Sequence, residues 1–197
     1  IILDVYLHLK KISSSYMDVE TIQFSNLKEL FNLQYASMDS HEYLFSWLDS
    51  HKVGENMGRG ILKRANHSIN KNLVYKGKRK LSIPFNMPRF TVNRFSVEAF
   101  NFMYYTMSKK NKKGRVYLMD FFYPLDGYAN WYRVYGKKGF IEYQMVVPFD
   151  GAYETISELL ERIAKSKLGS SISVVKPLSK TKGLISFPID GFTLAVD

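Results

Sequence analysis

The sequence contains no cysteine, which excludes disulfides, thiolate metal sites and cysteine nucleophiles. Its four histidines, His8, His41, His51 and His67, are scattered, with none of the HxH or HExxH spacing that zinc requires, so no metal chemistry is expected. No run approaches the roughly 18 apolar residues of a membrane span, and no charged segment leading into a cleavable apolar core opens the chain. The 12 glycines form neither a P-loop nor a GxGxxG fingerprint, so these residues alone offer nucleotide phosphates no cradle. Acid is also scarce: 18 Asp and Glu stand against 28 Lys and Arg, a formal net charge of +10. That field draws anionic partners such as nucleic acid, phosphorylated substrates or acidic lipid headgroups, and does not choose among them.

What is present is a chain of 197 residues, 46% hydrophobic and 15% aromatic, enough for one well-packed domain. Leu3, Val5, Leu7 and Leu9 alternate with other residues and predict a first strand, and Gly191 to Asp197 predicts a last one. Strands need paired neighbours, so a sequence that begins and ends inside them reads as a piece of a longer protein. Between them, YMDVETIQF at 16–24 predicts a strand, and Ser25 stands before a helical face of Leu27, Leu30 and Phe31, predicting a short helix to about Tyr35. Tyr43–Leu48 and Gly60–Ala65 read as antiparallel mates. Residues 66–89 are polar and basic, with Pro84, Pro88 and the cluster Lys76, Lys78, Arg79 and Lys80. They predict a surface excursion, the least ordered part of the domain and a lid over any pocket.

Further on, Val97–Met107 predicts a helix capped by Asn93 or Ser96, followed by Lys109, Lys110, Lys112 and Lys113 and closed by Gly114. Val116–Tyr123, Phe140–Val147, Ser171–Val175 and Leu184–Phe187 predict strands. Ala152–Lys165, with Ile156, Leu159, Leu160 and Ile163 at helical spacing, predicts a helix. Strands dominate without βαβ alternation, so the expected class is α+β, a mainly antiparallel β-sheet with helices packed on one face. The mixture of aromatic and basic residues invites a nucleic-acid platform, yet no RNP string is present. Phe121, Phe122 and Tyr123 run consecutively where a one-faced platform needs alternation, so nucleic acid is not the expected partner.

The most specific signal is the string FYPLDGYANWYRVYGKKGFIEYQMVVP at residues 122–148. It closely resembles the substrate-domain signature of FAD-dependent oxidases related to decaprenylphosphoryl-ribose 2'-oxidase, in the vanillyl-alcohol oxidase (PCMH-type) flavoprotein superfamily. Similarity continues through Ser46-Trp47-Leu48-Asp49 with Gly58-Arg59-Gly60, through Ala99-Phe100-Asn101 with Tyr104-Tyr105, and through Leu184 to Pro188. The resemblance implies that residues 1–11 are the exit strand of a truncated FAD-binding domain. Residues 12–197 would form a substrate-binding domain whose continuation lies beyond Asp197.

Family pattern places Gln144 on the substrate, Lys176 in the pocket against polar or phosphate oxygens, and Trp47 in the pocket wall. Read from the residues alone, Trp47 equally fits core packing and Lys176 a strand-end lysine reaching water. Glu142 and Gln144, two apart on a predicted strand, face the same way, toward solvent by the residues alone and into the pocket by the resemblance. Four positions depart from the family: Glu142 stands where a second Gln is usual, Phe122 replaces a Tyr, and Thr193 and Ala195 replace an Asn and a Cys. A carboxylate cannot supply an amide's N–H donors, so flavin-linked oxidation of a carbinol is the expectation, with sugar, sugar lactone and lipid-linked sugar all open. The resemblance implies FAD bound mainly by the absent domain and no catalytic residue inside this chain. The default location is the cytoplasm, with peripheral membrane association if the substrate is lipid-linked. The rival reading is a basic, non-enzymatic module for nucleic acid or acidic membrane surfaces.

Overall fold

The computed structural model describes residues 3–74, 81–108, 112–168, 170–183 and 186–197. In chain order the elements are β1 (Tyr16–Phe24), α1 (Leu27–Met38), β2 (Tyr43–Leu48), β3 (Gly60–His67), β4 (Leu81–Ser82), α2 (Arg94–Met107), β5 (Lys112–Tyr117) and α3 (Leu118–Phe122). They continue with β6 (Tyr128–Ala129), β7 (Tyr143–Pro148), α4 (Ala152–Ser166), β8 (Ser173–Leu178) and β9 (Gly191–Val196). Seven strands form one sheet in the order β5-β1-β3-β2-β8-β9-β7, and β4 and β6 make a separate parallel pair. Every neighbouring pair in the large sheet is antiparallel. The class is α+β, with a mostly antiparallel sheet.

Side chains alternate between the two faces of a sheet, so the register sorts the core. Phe24, Leu44, Leu48, Leu62, Val147, Val175, Phe192 and Leu194 lie on one face and bury against Leu27, Leu30 and Phe31 of α1 and Ile156 and Leu160 of α4. Each fully buried side chain of this size contributes roughly 1.5–3 kcal/mol, before conformational entropy is subtracted. Helices α1 and α4 both cover that face. The other face carries a smaller cluster, in which Met17, Val19 and Ala65 meet Phe121 of α3. Tyr104 of α2 sits edge-on to Trp47 at 4.8 Å, so α2 and α3 stand on this second face. Gly60 allows β2 and β3 to approach: a Cβ there would lie 2.0 Å from the Trp47 carbonyl oxygen.

Several boundaries differ from the sequence expectation, each for a local reason. Residues 3–13 form no strand, and Leu3, Val5, Leu7 and Leu9 stay exposed, because among the described residues nothing pairs with them. The cap of α1 is Asn26, which accepts from the Glu29 N–H, while Glu29 reaches back to the Ser25 N–H and hydroxyl. That is a capping box shifted by one residue. Helix α2 begins at Arg94 under a capping box of Asn93 and Ser96. It ends at Met107, and Lys112, Lys113 and Gly114 belong to edge strand β5. There Arg115 pairs with Asp18 and Lys113 with Glu20 of β1. The strand predicted at 116–123 stops at Tyr117 and turns into α3, which drives Phe121 into the second-face cluster. The strand predicted from Phe140 starts at Tyr143.

The expectations for Lys76, Lys78, Arg79 and Lys80, for Lys109 and Lys110, and for Leu184 and Ile185 fall outside the described residues. Among the described residues, no helix is long and apolar enough to cross a membrane.

Candidate functional site

The face opposite α1 and α4 gathers most of the predicted site. Register sets Gln144 opposite Ala195, Ala195 opposite Val174, and Val174 opposite Trp47. One row along, Val146 stands opposite Thr193 and Thr193 opposite Lys176. Gln144, Lys176, Thr193, Ala195 and Trp47 therefore project from the same face, across four adjacent strands. At β7, β9 and β8 this face is partly open, with Gln144 exposed and Val174, Lys176 and Ala195 half-buried.

Glu142 lies one residue before β7 and is exposed, so the ladder register does not reach it. Phe122 lies on α3, its ring 4.9 Å from Tyr43 and 5.2 Å from Phe121. It shares the face but sits at the end toward β5.

The hydrogen bonds give Gln144 a defined orientation. The buried Thr193 hydroxyl donates to the Met145 carbonyl at 2.8 Å and lies 2.9 Å from the Gln144 amide nitrogen. A hydroxyl has one proton. Since that proton goes to Met145, Thr193 can only accept from Gln144, which fixes the amide with its N–H inward and its carbonyl oxygen outward. The face thus presents one oriented acceptor, and the Lys176 ammonium, on the same face one strand beyond β9, is a donor only.

Trp47 is buried, its indole N–H donating to the Ser171 carbonyl at 2.9 Å. Its polar atom is spent in the framework, and what it offers the face is an apolar ring edge beneath Tyr104. The other family-like segments converge on the same corner. Asp49, at 1% side-chain exposure, holds Arg59 through Nε at 3.1 Å and Nη2 at 2.9 Å. Arg59 lies over the Tyr105 ring at 4.4 Å, and the buried Asn101 amide donates to Asp49. The residues of SWLD, GRG, AFN and YY form one buried polar network that fastens α2 to the sheet and sets Tyr104 over Trp47. The Tyr135 hydroxyl bonds Asp197 and Ser171, and burial, reinforced by the Asp197 carboxylate, pushes its pKa far up. The aromatic segment before β7 is anchored there to the end of β9.

One residue was missed from the sequence. Lys63, in the middle of β3, projects from the open face with its ammonium 5.7 Å from the Phe45 ring. Burial holds its pKa below the ordinary lysine value. In the sequence it is one basic residue of Ile61-Leu62-Lys63-Arg64, and only the three-strand register distinguishes it from its neighbour Arg64, which points to the other side and pairs with Glu20 at 2.6 Å.

A cleft of about 660 Å³ lies elsewhere, at the β1 edge between Ser25, Tyr105 and Lys113, and includes none of the predicted site residues. Both of its carboxylates are already engaged within the fold, Glu20 by Arg64 and Lys113, and Glu29 as acceptor from Ser25. The open face, with its uncommitted acceptor and donors, is the better candidate despite being less enclosed. Among the described residues no group of three side chains is placed to hold a metal.

These features define a sheet-walled domain whose uncovered face presents a few fixed polar groups on an apolar floor. No family model matches the chain. Over 172 residues, 82% of its length, it is 27% identical to the decaprenylphosphoryl-beta-D-ribose oxidase of Mycolicibacterium smegmatis (strain ATCC 700084 / mc(2)155). The match covers 37% of that protein, so the chain spans little more than a third of its relative's length.

Proposed function

We propose that the chain is the substrate-binding part of an FAD-linked oxidoreductase that oxidises a carbinol, on a sugar, a sugar lactone or a lipid-linked sugar. The observation that carries this reading is the convergence of Gln144, Lys176, Thr193, Ala195 and Trp47 on one uncovered sheet face, together with the distant likeness to an oxidase. The flavin supplies the hydride acceptor. The donor set fits the substrate side of such a ring: Val174 and Ala195 are small enough for close approach, and no glycine-rich turn is present to hold the cofactor's phosphates. Holding FAD falls to residues outside this chain.

In this reading Gln144 accepts a hydrogen bond from one substrate hydroxyl and Lys176 donates to a neighbouring oxygen. Two fixed contacts at different points of a polyol restrict both its position and its rotation, which orients the carbinol hydrogen. Val174, Ala195 and the Trp47 edge exclude water from beneath it. A lipid-linked substrate would bring the protein to a membrane surface without a spanning helix.

The test is the intact protein's absorbance at about 450 nm, a property of bound flavin, and its anaerobic bleaching by candidate carbinols. Hydrogen bonds to charged groups are worth about 1.5–3 kcal/mol, so Lys176→Met is expected to weaken substrate binding or turnover about tenfold or more with flavin content unchanged. Unaltered kinetics in that variant would remove Lys176 from the site. A colourless intact protein that shifts labelled oligonucleotide would replace the whole reading with that of a basic binding module.

A further inference from the structure

Helix α2 turns an apolar side to solvent. Of its 14 residues only Val97 and Asn101 are buried, and with Tyr104 on Trp47 and Tyr105 beneath Arg59 they hold the helix to the sheet. Phe95 and Phe102, seven apart, and Met103 and Met107, four apart, share the outward side. Phe95 is 79% exposed, Phe102 57%, Met103 50% and Met107 72%. No charge lies among them, since the other residues on that side are Ser96, Ala99 and Thr106. A helix that covers a sheet ordinarily turns a polar face to water. Single exposed apolar side chains need no explanation, but a contiguous stripe of them marks a surface that meets something apolar.

Charge selects what that something is. From Arg89 to Arg115 the sequence holds seven basic residues and one acidic, Glu98, so this short stretch carries +6 of the chain's +10. Glu98 is taken by Arg94, and the sequence that leaves the helix, SKKNKK, offers no further acid. A second copy would set +6 against +6, and a neutral apolar partner would leave the lysines unanswered. Nucleic acid answers the lysines and not the phenylalanines. An anionic bilayer answers both, because its acyl boundary takes aromatic and methionine side chains and its headgroups attract each nearby lysine. At 1.5 Å per residue α2 is about 21 Å long, short of the roughly 30 Å hydrocarbon core, so it lies in the interface without crossing it.

We propose that α2 is an interfacial helix, which sets Phe95, Phe102, Met103 and Met107 into the surface of an anionic lipid bilayer while the positive charge of the flanking sequence holds the protein to the headgroups. The inference goes beyond the oxidase reading and does not depend on it. Because the inner side of α2 carries Tyr104 over Trp47, a docked helix brings one border of the open face to the membrane surface.

The experiment sediments the intact protein with vesicles of equal parts phosphatidylcholine and phosphatidylglycerol, and with vesicles of phosphatidylcholine alone. The protein is expected to bind the anionic vesicles about tenfold more tightly than the neutral ones and to be released as salt rises. Phe95→Gln combined with Phe102→Gln should weaken binding to the anionic vesicles about tenfold and leave the melting temperature in place, because both side chains are exposed. Met103→Gln combined with Met107→Gln should act in the same direction more weakly, and it decides the matter if the phenylalanine pair fails to fold. No vesicle binding, wild-type binding by both double variants, or equal affinity for neutral and anionic vesicles would overturn the docking surface. So would a dimer that the Phe95→Gln, Phe102→Gln variant dissolves, since it assigns the stripe to a second copy. Flavin absorbance is read on the same protein: vesicle binding without flavin refutes the oxidase reading alone, and a flavin-bearing protein that ignores vesicles refutes the docking surface alone.

Discussion

Thr193→Val tests the hydrogen-bond logic of the open face directly. Valine has nearly the shape of threonine, so the buried site keeps its volume and loses only the hydroxyl, with its bond to the Met145 carbonyl at 2.8 Å and its acceptance from Gln144 at 2.9 Å. Each such bond contributes about 1 kcal/mol net. Part of the loss is offset by a methyl group in an apolar surrounding, leaving a cost of about 1–2 kcal/mol. For a domain of this size that lowers the melting temperature by roughly 2–8 °C. Thr193→Ser keeps the hydroxyl and loses a methyl, a comparable cost of about 1 kcal/mol with a different cause. Calorimetry measures the two costs, and the Gln144 side-chain amide resonances separate the causes: they move in the Val variant and stay in the Ser variant. In an active protein the Val variant also loses substrate affinity, since Gln144 no longer holds its carbonyl outward. A Val variant that melts with wild type, its Gln144 resonances in place, would refute the orientation argument.

Two further perturbations probe the frame behind the face. Arg59→Met leaves the 1%-exposed Asp49 carboxylate unpaired in the interior and should cost about 3–5 kcal/mol in urea unfolding, with Asp49→Leu added to it recovering most of the loss; a single-variant cost under about 1 kcal/mol would contradict this. Burial lowers the pKa of His51, outweighing the opposing pull of Asp49 and Glu98, and burial with nearby Arg64 lowers that of His41, both from an ordinary value of 6.5. The unfolded chain therefore binds more protons just below that pH, so this stability is complete above about pH 6.5 and is lost as pH falls through the folded values. The urea midpoint should drop from pH 7 to pH 5 and flatten when both are replaced by Gln, whereas a midpoint that holds or rises on acidification would show the sign to be wrong.

The parts of the fold legible in the sequence are those where burial imposes one period. In β1 the two-residue period holds from Tyr16 to Phe24 while its apolar phase shifts at Thr21, Met17 and Val19 serving one face and Ile22 and Phe24 the other, and the predicted and observed strands coincide. In α4 Ile156 and Leu160 recur at four-residue spacing and both are buried. The stretch from Lys112 to Tyr143 obeys no single period. Strand β5 is held at the sheet edge by pairing and by cross-strand charge, Arg115 to Asp18 and Lys113 to Glu20, so it has no apolar alternation to read. The consecutive aromatics Phe121, Phe122 and Tyr123 fit strand and helix equally, and the short helix prevails because it carries Phe121 to Phe45 and Tyr43.

The candidate site divides along the same line. Gln144, Lys176 and Trp47 came from a family-like pattern, which encodes a shared face without stating it, and strand register then shows that face. Glu142 came from parity and from the place of a family Gln, and the register does not reach it, since β7 begins one residue later. Lys63 lay beyond both methods. Its neighbour Arg64 looks identical in sequence, yet one points to an ion pair and the other to an open face. Which of two adjacent cations is free for a ligand is decided by long-range pairing, here by Glu20 arriving on β1 opposite Arg64. In a sheet protein the counter-charge of a cation is therefore read from the register and not from its sequence neighbours.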